Sequence, residues 1–191
     1  MIDRRSAIFL DRDGTIIEEV NYLSRPEQVH LLYGVGDVLN TFSKMGYLLV
    51  VVTNQSGLAR GYFNEAELKK IHDRMAELLE QRNVKIDAVY HCPHHIDGII
   101  PEYKIRCNCR KPAPGMWFQA AKDLDIDLGN SWTIGDKLID LQAGDAAGTK
   151  VLMVETGYGR EERLKLPSGW ISVPDMTAAL DYIVRYRNEN L

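Results

Sequence analysis

The stretch Phe9-Leu10-Asp11-Arg12-Asp13-Gly14-Thr15 closes a short apolar run with two carboxylates that are one residue apart. A run of four apolar residues stopped by a polar, glycine-bearing turn reads as a buried strand that delivers its last residues to an edge. Further short apolar runs at 48–53, 88–91, 132–134 and 151–154 read as strands of the same kind. Segments of helical period lie between them. Val35, Val38, Leu39, Phe42 and Met45 share one face, and Gly46 stands where a helix end is capped. Asn64 followed by Glu67 is a capping-box signature, and Leu68, Ile71, Met75, Leu78 and Leu79 then fall on one side. Helices are also expected over 115–124, 138–147 and 175–187, with a final strand in the tail before the last of them.

Strands alternating with helices predict an α/β fold, a doubly wound parallel sheet with helices on both faces. Two segments interrupt the alternation. Residues 16–32 read as a polar connection after the first strand, and 93–114 as an irregular stretch carrying two cysteines. Neither is long enough to fold separately. The expectation is one domain over 1–191, with no cap over its active edge.

Composition narrows the classes. The 191 residues are 45% hydrophobic and 26% charged with a net charge of -4, and no basic patch interrupts the mixture. That opposes recognition of nucleic acid through a basic surface. No apolar stretch reaches bilayer length. Met1-Ile2-Asp3-Arg4-Arg5-Ser6 lacks the apolar centre of a signal peptide, so a cytoplasmic location is expected. Nothing in the chain demands an oligomer, and a monomer is expected.

Three further polar signals sit just past predicted strands: Thr53-Asn54-Gln55-Ser56, Arg110-Lys111-Pro112 before a helix, and Gly135-Asp136. In an open parallel sheet the carboxyl ends of the strands form the binding crevice, so four segments point to one rim. The residue types suit phosphoryl transfer, which depends on positioning and charge cancellation. Asp11 can attack phosphorus. Asp13 can protonate the leaving alkoxide and then activate water. Mg²⁺ can draw two carboxylates and a backbone carbonyl from Asp11, Asp13 and Asp136. Thr53 and Lys111 can hold the transferring oxygens. Asp140, one helical turn after Asp136, either supports that metal or balances charge.

Cys92-Pro93-His94 and Cys107-Asn108-Cys109 each bracket one residue, with 12 residues between His94 and Cys107. Three thiolates and one imidazole closing a short loop suit tetrahedral Zn²⁺ in a structural site. His91 and His95 are neighbouring alternatives to His94.

These motifs resemble the haloacid dehalogenase superfamily, whose four signatures are matched in order by Asp11-Arg12-Asp13-Gly14-Thr15, Thr53, Lys111 and Gly135-Asp136 through Asp140. The resemblance spans roughly residues 6 to 157. It implies the superfamily fold, an aspartyl-phosphate on Asp11, acid/base work by Asp13 and a magnesium site. The zinc loop, with Thr53 to Gly61, Cys92-Pro93-His94-His95, Cys109 to Pro112, Pro114-Gly115-Met116 and Gly135-Asp136-Lys137, is similar to the heptose-bisphosphate phosphatase branch. That likeness implies a small sugar bisphosphate as substrate and a product that supplies heptose-containing glycans such as lipopolysaccharide core. It also implies substrate contacts from Glu19, Asn21, Tyr22, Asn54, Gln55 and Ser56, with Arg110 and Lys137 suited to a distal phosphate. Ile17 and Val20-Asn21-Tyr22 depart from the branch's usual pattern. A histidinol-phosphate phosphatase shares the chemistry, and a zinc-stabilised binding module without activity is the reading from another class.

Overall fold

The computed structural model describes residues 4–190. Met1-Ile2-Asp3 and Leu191, and the N-terminal expectation drawn from them, lie outside the described residues. Six strands form one sheet in the order β3-β2-β1-β4-β5-β6, and every neighbouring pair is parallel. They are β1 (Ala7–Leu10), β2 (Leu48–Asn54), β3 (Ala88–Cys92), β4 (Trp132–Gly135), β5 (Lys150–Val154) and β6 (Ser172–Val173). The main helices are α1 (Val35–Lys44), α2 (Glu65–Glu80), α3 (Gly115–Leu124), α4 (Leu138–Ala146) and α6 (Met176–Glu189), with a single-turn α5 (Gly159–Glu162). The doubly wound architecture read from the sequence is the one observed.

The central strands are buried on both faces, which explains their unbroken apolar spelling. Alternate residues serve opposite layers. Ile8, Leu10, Leu49 and Val51 join the cluster containing Val38, Phe42, Ile71, Met75 and Ile183 from α1, α2 and α6. Ala7, Phe9, Val50 and Val52 pack against Trp117, Ala120 and Ala143 from α3 and α4. Removing a ring such as Phe42 from the first layer should cost about 3–5 kcal/mol. Local signals behave as read. Asn64 and Glu67 form the reciprocal cap of α2, and Gly46 follows α1 at φ 92°.

β1 lies between β2 and β4, so the chain turns to one side of it first and to the other later. That switch point opens a crevice beyond the carboxyl end of β1. The 16–32 segment is not the polar connection its composition suggested. Ile16, Ile17, Leu23 and Val29 are buried in the first layer, and Ile17 bridges to both Asp13 and Leu31. Ile17 is apolar because it fills core.

Candidate active site

The turn after β1 is tightly folded. The Asp11 N–H donates to Ile134 O of β4 at 3.0 Å. The Gly14 N–H donates to Ile17 O at 2.8 Å. Asp11, Thr53, Lys111 and Asp136 are all buried; three come from the ends of β1, β2 and β4, and Lys111 from the segment just before α3. With Asp13, Asn54, Gln55, Ser56, Arg110 and Lys137 they surround one crevice; all but Asp136 line a cavity of about 310 Å³, together with Glu19, Asn21, Tyr22, Asp140 and Tyr158.

Lys111 is the centre of charge. Its Nζ lies 2.6 Å from Asp11 Oδ1 and 2.6 Å from Asp140 Oδ1, and it donates to Val52 O at 2.9 Å. Burial opposes its charge, but the two carboxylates outweigh that and hold its pKa above the ordinary lysine value. Asn54 braces the lysine's backbone with both ends of its amide, accepting from Lys111 N–H at 3.1 Å and donating to Lys111 O at 3.3 Å. Asn54, a substrate contact by the sequence reading, lines the cavity while its amide is engaged with the Lys111 backbone.

Asp13 is turned another way. Its carboxylate receives the guanidinium of buried Arg12 through Nε and Nη2 at 2.9–3.2 Å. It also accepts from Gln55 Nε2 at 3.0 Å, and the same nitrogen lies 2.8 Å from Thr53 Oγ1. Gln55 therefore ties the acid/base candidate to the phosphate-cradle threonine. Arg12 went unassigned in the sequence, although it stands inside the decisive motif.

Asp11, Asp136 and Asp140 bring carboxylate oxygens within 4.8 Å of one another. The Asp13 carboxylate is not part of that group, which leaves its backbone carbonyl as what it can offer a metal. Burial, and after it the nearby carboxylates, push Asp11 up to about 6 and Asp136 up to about 8 despite the opposing lysines. Asp136 Oδ1 is buried with no hydrogen-bond partner, whereas Oδ2 accepts from Tyr158 N–H at 2.8 Å. An orphaned oxygen amid crowded carboxylates is what a hard divalent cation satisfies, so the residues present fit Mg²⁺.

A fifth segment, 156–158 after β5, also reaches the site, although the tail from Tyr158 onward carried no legible motif. Thr156 donates to Gly14 O at 2.6 Å. Lys137 Nζ sits 4.5 Å above the Tyr158 ring centroid and 3.1 Å from Glu19. The rule that strand ends build the crevice would have found this segment had it been applied to 151–154.

The second cluster forms as expected. Cys92, His94, Cys107 and Cys109 place their ligand atoms within 4.8 Å of one another, with contacts of 3.0 Å (Cys92–Cys109) to 3.7 Å (Cys92–His94). A tetrahedral zinc site with thiolate distances of about 2.3 Å has edges only slightly longer, so the donor set fits that ion. His91 faces Glu65 instead, at 3.2 Å.

A buried aspartate at the end of β1, a second carboxylate two residues on, a threonine, a lysine and a further aspartate at the carboxyl edge of this sheet place the chain among phosphatases of the haloacid dehalogenase class. A family model described as HAD-hydrolase-like matches residues 108–179. The chain is 45% identical over 178 residues to a D-glycero-beta-D-manno-heptose-1,7-bisphosphate 7-phosphatase of Salmonella typhi, covering 91% of this chain and 94% of that one. A Haemophilus influenzae protein of the same description is 47% identical over 152 residues, covering 79% and 82%. Among solved structures, the D,D-heptose 1,7-bisphosphate phosphatase of B. bronchiseptica, complexed with magnesium and phosphate, superposes with a TM-score of 0.85 at 35% identity, covering 95% and 99%. The chain belongs to this heptose-bisphosphate phosphatase family and is a phosphomonoester hydrolase.

Proposed function

We propose that the chain removes the 7-phosphate of D-glycero-β-D-manno-heptose 1,7-bisphosphate and releases heptose 1-phosphate. One observation carries the reading: a single cavity holds buried Asp11 beside Lys111 and also two further cations, Arg110 and Lys137. One transferring phosphate does not need all of them, whereas a bisphosphate does. The choice of the β-anomer follows the description of the relatives.

The chemistry follows from the placement of the residues. Asp11 attacks phosphorus, the ester P–O bond breaks, and Asp13 gives its proton to the departing sugar oxygen. Asp13 then takes a proton from water, which attacks the aspartyl-phosphate and frees Asp11 with inorganic phosphate. Arg12 and Gln55 hold Asp13 in place for both steps, and Thr53 and Lys111 hold the equatorial oxygens. Asp11, Asp136 and the Asp13 carbonyl would hold Mg²⁺, with Asp140 behind them balancing Lys111. Bound there, the ion would neutralise charge building on the phosphoryl group. Cys92, His94, Cys107 and Cys109 would hold Zn²⁺ as a closed structural site that fixes the approach to Arg110 and Lys111. Glu19, Asn21, Tyr22 and Ser56 line the sugar side of the cavity. The chain acts as one domain and as a monomer, without nucleic acid or membrane partners. No helix among the described residues is long and apolar enough to cross a membrane.

The test is phosphate release in Mg²⁺ from the heptose bisphosphate and from histidinol phosphate, with Asp11→Asn as the blank. A strong preference for the bisphosphate and an inactive Asp11→Asn are expected. Preference for histidinol phosphate would keep the mechanism and overturn the substrate. Substantial activity in Asp11→Asn would overturn the aspartyl-phosphate.

A further inference from the structure

Among the described residues, three other than glycine take a left-handed backbone: Asn83 at φ 58°, Asp125 at φ 51° and Tyr22 at φ 52°. Asn83 and Asp125 follow α2 and α3, and their short polar side chains tolerate that conformation at a helix end. A bulky ring has neither advantage, so the surroundings of Tyr22 must hold it there. The turn is pinned from below. The Leu23 N–H donates to Val20 O at 3.1 Å, and Leu23 is buried in the first layer with Val20 packed against the same cluster. Tyr22, at the tip of the turn, lines the catalytic cavity and stays part-exposed.

The Tyr22 ring meets Tyr62, from the loop after β2. Their centroids are 4.5 Å apart with the planes at 76°, the edge-to-face arrangement in which ring quadrupoles attract. Tyr62 stands on a firm base. Its N–H donates to Gly57 O at 2.9 Å, and the Gly61 N–H donates to Leu58 O at 3.1 Å. The next residue, Phe63, is buried with Leu58 and with Leu68 of α2. The loops after β1 and β2 are therefore joined twice. Gln55 holds Asp13 beside the chemistry at 3.0 Å, and Tyr62 holds Tyr22 at the rim. Tyr62 is not among the residues lining the cavity, so it reaches the substrate only through Tyr22.

We propose that Tyr62 is a positioning residue: its ring holds Tyr22 in the left-handed turn and so fixes the wall against which the sugar body of the substrate rests. The proposal rests on the sugar-phosphate reading above. A tyrosine offers a sugar an apolar face and a hydroxyl that both donates and accepts. Without Tyr62 the Tyr22 ring would sample other conformations, and binding the sugar would have to offset that freedom. The loss falls on KM. The phosphoryl step is spared, because Asp11, Asp13, Thr53 and Lys111 are held by other contacts.

The test measures kcat and KM of wild type, Tyr62→Ala, Tyr62→Phe, Tyr22→Ala and the double variant on the heptose 1,7-bisphosphate, with acetyl phosphate as a substrate that lacks a sugar. Tyr62→Ala should raise KM for the bisphosphate about two- to tenfold, the worth of one aromatic pair, with kcat little changed. Its hydrolysis of acetyl phosphate should match wild type. Tyr62→Phe keeps the ring and should restore the wild-type KM. Adding Tyr62→Ala to Tyr22→Ala should raise KM no further, because Tyr62 acts through Tyr22. An unchanged KM in Tyr62→Ala, additive losses in the double variant, or equal losses on both substrates overturns the positioning role. Wild type that shows no preference for the bisphosphate over acetyl phosphate overturns the substrate reading itself, and the sugar wall with it. Both rings are part-exposed, so Tyr62→Ala should fold. Should it fail to, Tyr62→Gln keeps the length without the ring and should give the same bisphosphate-only rise, whose absence overturns the assignment.

Discussion

Lys111 Nζ lies 2.6 Å from Oδ1 of Asp140, a buried carboxylate in the first turn of α4. The other Asp140 oxygen accepts the Lys137 N–H at 3.0 Å. Asp140 is thus fastened at both ends, and it shares Lys111 with Asp11. Asp140→Asn should leave Asp11 as the one carboxylate on the Lys111 ammonium, which also donates to Val52 O, and draw the Asp11 charge towards the lysine. Turnover should fall by about two orders of magnitude if the lost alignment resembles loss of one preorganised contact. Stability should fall by roughly 1–3 kcal/mol, less than a fully broken buried pair because Asp11 remains. Steady-state kinetics and urea unfolding measure the two effects separately. Unchanged turnover would reduce Asp140 to a helix-capping role.

Most of the site was legible because catalytic groups at the ends of parallel strands follow a short, local spelling. Asp11, Thr53 and Asp136 each stand at or beside an apolar run that the eye can find, and Lys111 stands in an Arg-Lys-Pro spelling just before a helix. Arg12 was not legible, since an arginine beside an aspartate is ordinarily solvated; only the fold shows its guanidinium buried against Asp13. Asn54 and Gln55 read as polar and near the chemistry, but their partners come from residues far along the chain. The 16–32 segment misled for the opposite reason. Its apolar residues sustain no period of 2 or 3.6 along the whole segment, because they drop into the core from an irregular loop.

Metal in the cysteine loop should be necessary for the lysine's placement as well as for the loop. Gly115 N–H donates to Asn108 O at 2.9 Å, and Arg110 is anchored to His94 O, so the ligand segment runs directly into the catalytic one. Purified protein should contain about one zinc per chain, the stoichiometry of a closed four-ligand site. Chelation should lower the unfolding temperature and abolish turnover even with Mg²⁺ in excess. Elemental analysis that finds no zinc, or full activity after its removal, would reject the assignment.

His72 on α2 makes acid a specific hazard. Its Nε2 is buried without a partner. Burial first, then the charge of Arg12 and the neighbouring His91, lowers its pKa to about 3 from 6.5, with Asp13 and Asp73 only partly opposing. The folded state therefore binds fewer protons than the unfolded chain between those values. Stability present above pH 6.5 is lost progressively as pH falls towards 3, by up to about 1.4 kcal/mol per pH unit. His72→Leu should flatten this limb. The check is the urea midpoint at pH 7.5 and 5.0 for both proteins; parallel declines would exclude His72 as the cause.

Two glycine backbones close around Asp136, and this gives the sharpest separation of strain from function. A Cβ on Gly157 would lie 2.2 Å from Asp136 Oδ2 and 2.7 Å from Gly14 Cα, at φ 53°. Gly157→Ala must therefore displace the carboxylate, with the added cost of about 1 kcal/mol for a left-handed alanine. Gly148 supplies the control, since its φ is 88° and nothing lies within 4 Å of its missing Cβ. Both substitutions should lower stability through backbone strain. Only Gly157→Ala should raise the Mg²⁺ concentration needed for half-maximal activity, on the order of tenfold for a disturbed ligand. Titration of activity against Mg²⁺ for the two variants decides the matter. Equal requirements would mean that the close approach of Gly157 shapes the turn without holding the metal-binding aspartate in place.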